Sequence, residues 1–325
     1  MRAQPLHLLL LFAFGCGWGM SMPLAKIAVS TGHEPYGLIF WQLVVVVAVL
    51  TPVALIAGKP VKLRLRHLWF CSLIACTGAV LPDLFYYLGA THLPGGVLSI
   101  LMASAPLFSL PIALALGNDR FSLLRLGGLM LGMVGVALMI LPEEGLPAAV
   151  PVGFVLLTLL APALYATEGN IVARWGTHGL DPFRTIVGAS FIGMIITFPI
   201  AVLSGQWINP LESFGAPELA LAASAAIHGL VYAGYVWLVG RAGSVFSAQV
   251  GYIATGFGVL WSILLLGESY SGWVWAALLT ILAGVFLVQP RAPKDSTPEP
   301  ALAPMPGAGD ITGAGAATAE EEAPR

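Results

Sequence analysis

Charge is scarce in this chain. Asp, Glu, Lys and Arg together make up 9% of 325 residues, where a water-soluble domain carries about 25%. That leaves too little polar surface for a soluble fold. The net charge of -2 gives no electrostatic case for a nucleic-acid partner. Cysteine is scarce too. Cys16, Cys71 and Cys76 are odd in number and all lie in apolar runs, so they read as small packing residues and not as a disulfide framework. Catalytic signatures are missing as well. Gly58-Lys59 lacks the earlier glycine of a phosphate loop and is followed by Pro60, which argues against direct ATP hydrolysis. His33-Glu34 has no second histidine four residues on, no Cys/His spacing suits zinc, and no Gly-x-Ser-x-Gly elbow occurs. The expectation is no enzyme, no cofactor and no metal.

What is present is long apolar sequence. The chain is 58% hydrophobic, with a mean hydropathy of +0.89. Its runs are about 20 residues long, which matches a hydrocarbon core of about 30 Å. Ten are expected, near 6–29, 36–57, 68–90, 95–116, 122–141, 150–173, 184–203, 218–239, 244–266 and 273–289. Alternating ten-residue strand patterns are absent, so the spans read as helices. The first run continues to Val29, too long for a signal-peptide core, and is read as a retained span.

Lys and Arg fall in alternate gaps: Lys59, Lys62, Arg64 and Arg66, then Arg120 and Arg125, then Arg174 and Arg184, then Arg241. The other gaps carry Glu34, Glu143, Glu144, Glu212, Glu218 and Glu268. Basic loops stay in the cytoplasm. Ten spans then put both termini on that side, with Arg2 at the front and Arg291 and Lys294 behind. Residues 291–325 are rich in Pro, Ala, Gly, Thr and Glu, which predicts a disordered cytoplasmic tail. Gly307-Ala308-Gly309-Asp310 spells the motif of intramembrane aspartyl proteases, but it lies outside any span and has no partner aspartate.

The chain repeats itself. Ala-Leu-Ala-Leu-Gly117-Asn118-Asp119-Arg120, an apolar stretch, Gly135-Val136 and Pro142 are echoed by Leu-Leu-Leu-Gly267-Glu268-Ser269, an apolar stretch, Gly284-Val285 and Pro290. The offset is about 150 residues. This predicts an all-α membrane protein of ten helices in two five-helix repeats, 6–141 and 150–289. Five is odd, so the second repeat must be inverted. Inverted repeats are a device of secondary transporters, with a substrate site near the midplane.

Further short motifs sharpen the picture. Gly17-Trp18-Gly19 and Lys26 lie in span 1, Ala105-Pro106 in span 4, Gly132 to Gly135 in span 5 and Arg174 after span 6. Together with Gly117-Asn118-Asp119-Arg120 and Leu266-Gly267-Glu268-Ser269, their order, spacing and duplication resemble the drug/metabolite transporter superfamily in its ten-span form, built from two EamA domains. The resemblance covers residues 6–290. The chain departs from it at Asp119, which follows an inserted Asn where the family shows Gly-Glu, and in span 9, where Gln249-Val-Gly-Tyr252 has no counterpart of Pro106. The resemblance implies secondary transport of small metabolites, often efflux of amino acids or related solutes, across the inner membrane of bacteria or a related membrane.

An ionised side chain at the bilayer centre costs about 2.5–3.5 kcal/mol and faces a cavity or a partner. Glu168, in the polar run Tyr165 to Asn170 of span 6, can bind a substrate amine or exchange a proton, since a low dielectric favours the neutral carboxyl; the bland alternative is a pair with Arg174. His228, near the middle of span 8 with Tyr232 one turn on, is a proton carrier or a neutral interhelical bridge. Asp83 follows Pro82, which should kink span 3; with Tyr86 and Tyr87 it forms a cavity wall or a plain interhelical contact. Lys26 binds a carboxylate, pairs with Asp83 as an outer gate, or snorkels to headgroups. Trp18, Gln42, Asn170, Gln249 and Tyr252 complete the candidates, with Gln42 and Gln249 suited to orienting a polar solute.

The function expected is export of a small metabolite by alternating access, coupled to proton entry through Glu168, Asp83 or His228. The alternatives are an uncoupled facilitator or importer and, remotely, a membrane-embedded enzyme. The expected partners are a small-molecule substrate and the lipid bilayer. Small-residue helix faces also allow a homo-oligomer.

Overall fold

A computed structural model describes residues 5–58, 64–118, 120–141, 151–210, 214–242, 244–247 and 249–288. Every regular element among them is helical. Nine helical stretches are long and apolar enough to cross a membrane, and Gly272–Val288 is a shorter apolar helix of the same kind. The predicted tail, 291–325, and Asp119 lie outside the described residues.

Span 1 is α1 (Pro5–Ala28) and span 2 is α2 (Pro35–Ile56). Span 3 is α3 (Leu65–Ala75), a π-helical turn over Cys76–Val80, and α4 (Leu81–His92). The kink expected at Pro82 takes this form. Pro82 has no N–H to give, and the irregularity is taken up in the wide turn just before it. Span 4 breaks before Pro106 into α5 (Gly95–Met102) and α6 (Ala105–Ala115). Span 5 is α7 (Leu123–Ile140). Span 6 breaks before Pro162 into α8 (Val152–Thr158) and α9 (Leu160–Trp175).

Span 7 is α10 (Pro182–Leu203), whose start the sequence specifies closely. Asp181 accepts from the N–H of Phe183 at 3.0 Å and of Arg184 at 3.3 Å, and Pro182 occupies the first turn, where no N–H is needed. Span 8 is α11 (Ala216–Ala242). A short α12 (Ser244–Ser247) precedes α13 (Gln249–Leu266), and α14 (Gly272–Val288) follows.

The main helix pairs follow a rule of exchange. α7 lies on α14 and α2 on α10, so spans 5 and 10 pair, as do spans 2 and 7. α1 packs on α13 as α9 packs on α6, and α1 on α11 as α9 on α4. Replacing each span by the one five places on exchanges these main contacts among themselves, as a two-repeat architecture requires, whereas the contacts of α4 with α2 and of α6 with α7 have no counterpart of similar extent in the second repeat. Glycine sets the tightest approaches. A Cβ on Gly128 would lie 2.7 Å from the carbonyl oxygen of Gly284, and one on Gly19 would lie 2.7 Å from that of Ala254. Backbones can close to this distance only without side chains between them.

The outer surface is apolar, with Leu9, Leu203, Leu279 and Phe286 all exposed. This inverts the pattern of a soluble protein and suits acyl chains. One end of the bundle, bearing the turns at 30–34, 93–94, 204–210 and 267–271, is tied across. Trp41 Nε1 donates to the Ile208 carbonyl at 2.9 Å, Gln206 Oε1 accepts from Tyr36 N at 3.0 Å, and His33 Nε2 meets Glu218 Oε1 at 2.6 Å.

Candidate functional site

Proline breaks, a π turn and glycine-lined approaches leave a space inside the bundle. It is a cavity of about 530 Å³ whose walls come from both halves of the chain: Trp18, Gln42, Asp83 and Tyr86 from the first, Glu168, His228, Tyr232 and Tyr252 from the second. The size suits a single small organic molecule. Eight of the candidates read from the sequence therefore line one cavity.

Asp83 is buried and fully engaged. Gln42 Nε2 donates to its Oδ2 at 2.6 Å, and the Tyr165 hydroxyl donates to its Oδ1 at 2.9 Å. Gln42 Oε1 in turn accepts a short hydrogen bond from the Tyr87 hydroxyl. This chain of four side chains ties spans 2, 3 and 6. Tyr86 instead gives its hydroxyl to Met22 Sδ at 3.2 Å.

Glu168 is the opposite case. It is half-buried on α9, lines the cavity, and has neither a hydrogen bond nor an ion pair among the described residues. The pair with Arg174 does not form. Its carboxyl lies against Gly78 in the π turn, where an added Cβ would come within 2.7 Å of Oε1. His228 is exposed to the cavity, its ring centred 5.9 Å from that of Trp18, which also stands 5.4 Å from Tyr235. Three more polar atoms of cavity-lining residues, Trp18 Nε1, Ser21 Oγ and Tyr252 OH, are buried without a partner. Orphans of this sort each cost about 1–3 kcal/mol, and these three are placed to bond with water or a solute in the cavity; a fourth, Ser271 Oγ, lies away from it.

Three expected candidates stand elsewhere. Lys26 does not meet Asp83. Its ammonium donates to the carbonyls of Ala90 at 2.7 Å and Thr91 at 3.4 Å, because the last carbonyls of α4 have no helical donors and attract a cation. Asn170 is buried away from the cavity. Its Nδ2 donates to Ser109 Oγ at 2.8 Å and to the Ala166 carbonyl at 2.9 Å, and Asn118 donates to its carbonyl at 2.9 Å. Gln249 opens α13 and does not line the cavity.

Glu268 proves to be a clamp at the tied end. Its carboxylate accepts from the N–H of Gly95 at 2.9 Å and of Gly96 at 3.3 Å, at the start of α5, and from the Tyr270 hydroxyl. Burial, then the Glu268 carboxylate, holds the Tyr270 hydroxyl well above its ordinary pKa. Gly78 was the functional neighbour that the sequence did not mark, and Tyr165 stood out only as the start of the polar run in span 6. Tyr87 had one signal, its place a helical turn after Asp83.

The sequence profile of the EamA-like transporter family matches the chain twice, over residues 5–141 and 153–289. No curated protein matches the sequence significantly. Eighteen chains of solved structures match its fold. One crystal structure superposes with a TM-score of 0.59 at 16% identity, covering 88% of this chain and 96% of its own; at that identity the likeness shows the fold alone.

Proposed function

The chain belongs to the EamA-like transporter family, and from that membership we propose that this multi-pass membrane protein exports a small metabolite, an amino acid or related solute, by alternating access. The observation that carries the reading is the cavity, walled by both repeats and holding Glu168 without a protein partner among the described residues. A partnerless carboxyl is available to a solute or a proton, and rocking the repeats 6–141 and 150–289 about that space exposes it to one side at a time. Glu168 and His228 are the groups we assign to proton exchange. Asp83, held by Gln42 and Tyr165, positions the wall. The charge pattern supports an inner-membrane location with both termini in the cytoplasm.

A second reading, uncoupled facilitation, is favoured by the occupation of both Asp83 oxygens, which removes one of three proton carriers. The test compares the media of cells expressing the wild type, Glu168→Gln and an empty vector. A class of small molecules accumulating with the wild type alone supports coupled export. Equal accumulation with both proteins supports the facilitator. No difference from the vector, with the protein present in the membrane, overturns export and directs the search to uptake.

A further inference from the structure

The charges on the cavity wall are unbalanced. Asp83 and Glu168 both line it, and no Lys or Arg does among the described residues. His228 is the one basic group on the lining. Lys26 does not line the cavity, and its ammonium is committed to the carbonyls of Ala90 and Thr91. An anionic solute would meet two carboxyls in a low dielectric, with His228 the single lining group that could offset the repulsion. A cation would give Glu168 the compensation that no protein group supplies among the described residues.

The remaining wall suits the same ligand. Aromatic side chains from four spans, Trp18, Tyr86, Tyr165 and Tyr232, line the cavity with the two acids. Their ring faces attract ammonium groups, most strongly out of water. The lining also includes the apolar side chains of Leu50, Ile74, Ile186 and Val285, which offer an apolar body dispersion and burial. The partnerless Trp18 Nε1 and Tyr252 OH can turn to acceptors on that body.

We propose that the cavity takes an organic cation, a protonated or quaternary amine on an apolar or aromatic body, with the positive head at Glu168. The proposal rests on the transporter reading for its biological sense, but it concerns binding and is tested by binding. Three probes of one shape separate the charge from the body: phenethylamine as the cation, 2-phenylethanol as the neutral form and phenylacetate as the anion. Each is titrated into the purified full-length protein in lipid nanodiscs at neutral pH by calorimetry, with tryptophan fluorescence as the second readout.

The amine is expected to bind at least about tenfold more tightly than the alcohol, as for a charge-assisted contact, with phenylacetate weaker than both. Glu168→Gln is expected to cost the amine about tenfold and to leave the alcohol unchanged. Phenylacetate binding as tightly as the amine overturns the proposal. So does an amine no tighter than the alcohol, a wild type that binds none of the three, or an amine affinity untouched by Glu168→Gln. The wild-type comparison needs no variant to fold. Amine binding without export of any solute would instead refute the export reading, and export confined to anions or neutral solutes would refute the cation and leave the exporter standing.

Discussion

The carboxyl of Glu168 rests directly on Gly78, with no room for a methyl group between them. A side chain on span 6 thus depends on a missing side chain in the π turn of span 3. Gly78→Ala should push the Glu168 head from its place while leaving the fold intact, since the obstructed atoms are the free end of a flexible chain. Export should fall about as far as in Glu168→Gln, about tenfold, at unchanged thermal stability. Normal export by Gly78→Ala would remove Glu168 from the mechanism.

Asp83 and Glu168 should separate in stability. Asp83→Ala strands the Gln42 amide and the Tyr165 hydroxyl, at about 1–3 kcal/mol each. Glu168→Ala strands nothing. Thermal unfolding of the purified variants should therefore show a large drop for Asp83→Ala and almost none for Glu168→Ala. Equal drops would mean that Glu168 has a structural partner after all.

The α7–α14 seam should tolerate no side chain. A Cβ on Gly284 would lie 2.6 Å from the Gly128 carbonyl oxygen, and neither backbone can move aside cheaply. Gly284→Val should cost about 1–3 kcal/mol through overpacking and lower the yield of folded protein in the membrane. Gly256, which has nothing within 4 Å of its Cβ position, is the control. A Gly284→Val protein as stable as Gly256→Ala would refute the packing.

Much of the fold was legible in the sequence because lipid imposes simple rules. Span number, helical class and repetition follow from run length, Pro and Gly placement, and alternating charge. The site was legible in part. Glu168, His228 and Asp83 announce themselves as polar groups in apolar runs, and all three line the cavity. Lys26 and Asn170 carry the same signal yet are satisfied by partners, Lys26 by backbone carbonyls and Asn170 by Ser109, Ala166 and Asn118. A carbonyl has no residue type to read, and partners on other spans leave no local trace. The π turn was illegible for a related reason: Pro82 predicts an irregularity but not the turn that absorbs it.

The tied end should behave as a latch. Glu268→Gln keeps the shape but loses the charge that holds the Gly95 and Gly96 N–H groups and the Tyr270 hydroxyl. In a protein without its native cysteines, a cysteine at Met22 should react faster with a membrane-impermeant thiol reagent when Glu268 is Gln, by about tenfold for a contact of this strength. An unchanged rate would show that the end is held shut by its apolar packing alone.

The neighbours of α1 have a consequence for how the protein is made. Its Gly15 and Gly19 face is filled by Ile253 and Ala254 of α13, and its other flank by α11. At about 5–20 residues per second, ribosomes need about 11–44 s after finishing α1 to begin α13. For that interval α1 waits with its narrowest face turned to lipid. Any factor that guards nascent membrane proteins has its clearest target there, and substitutions on that face should reduce yield before they touch transport.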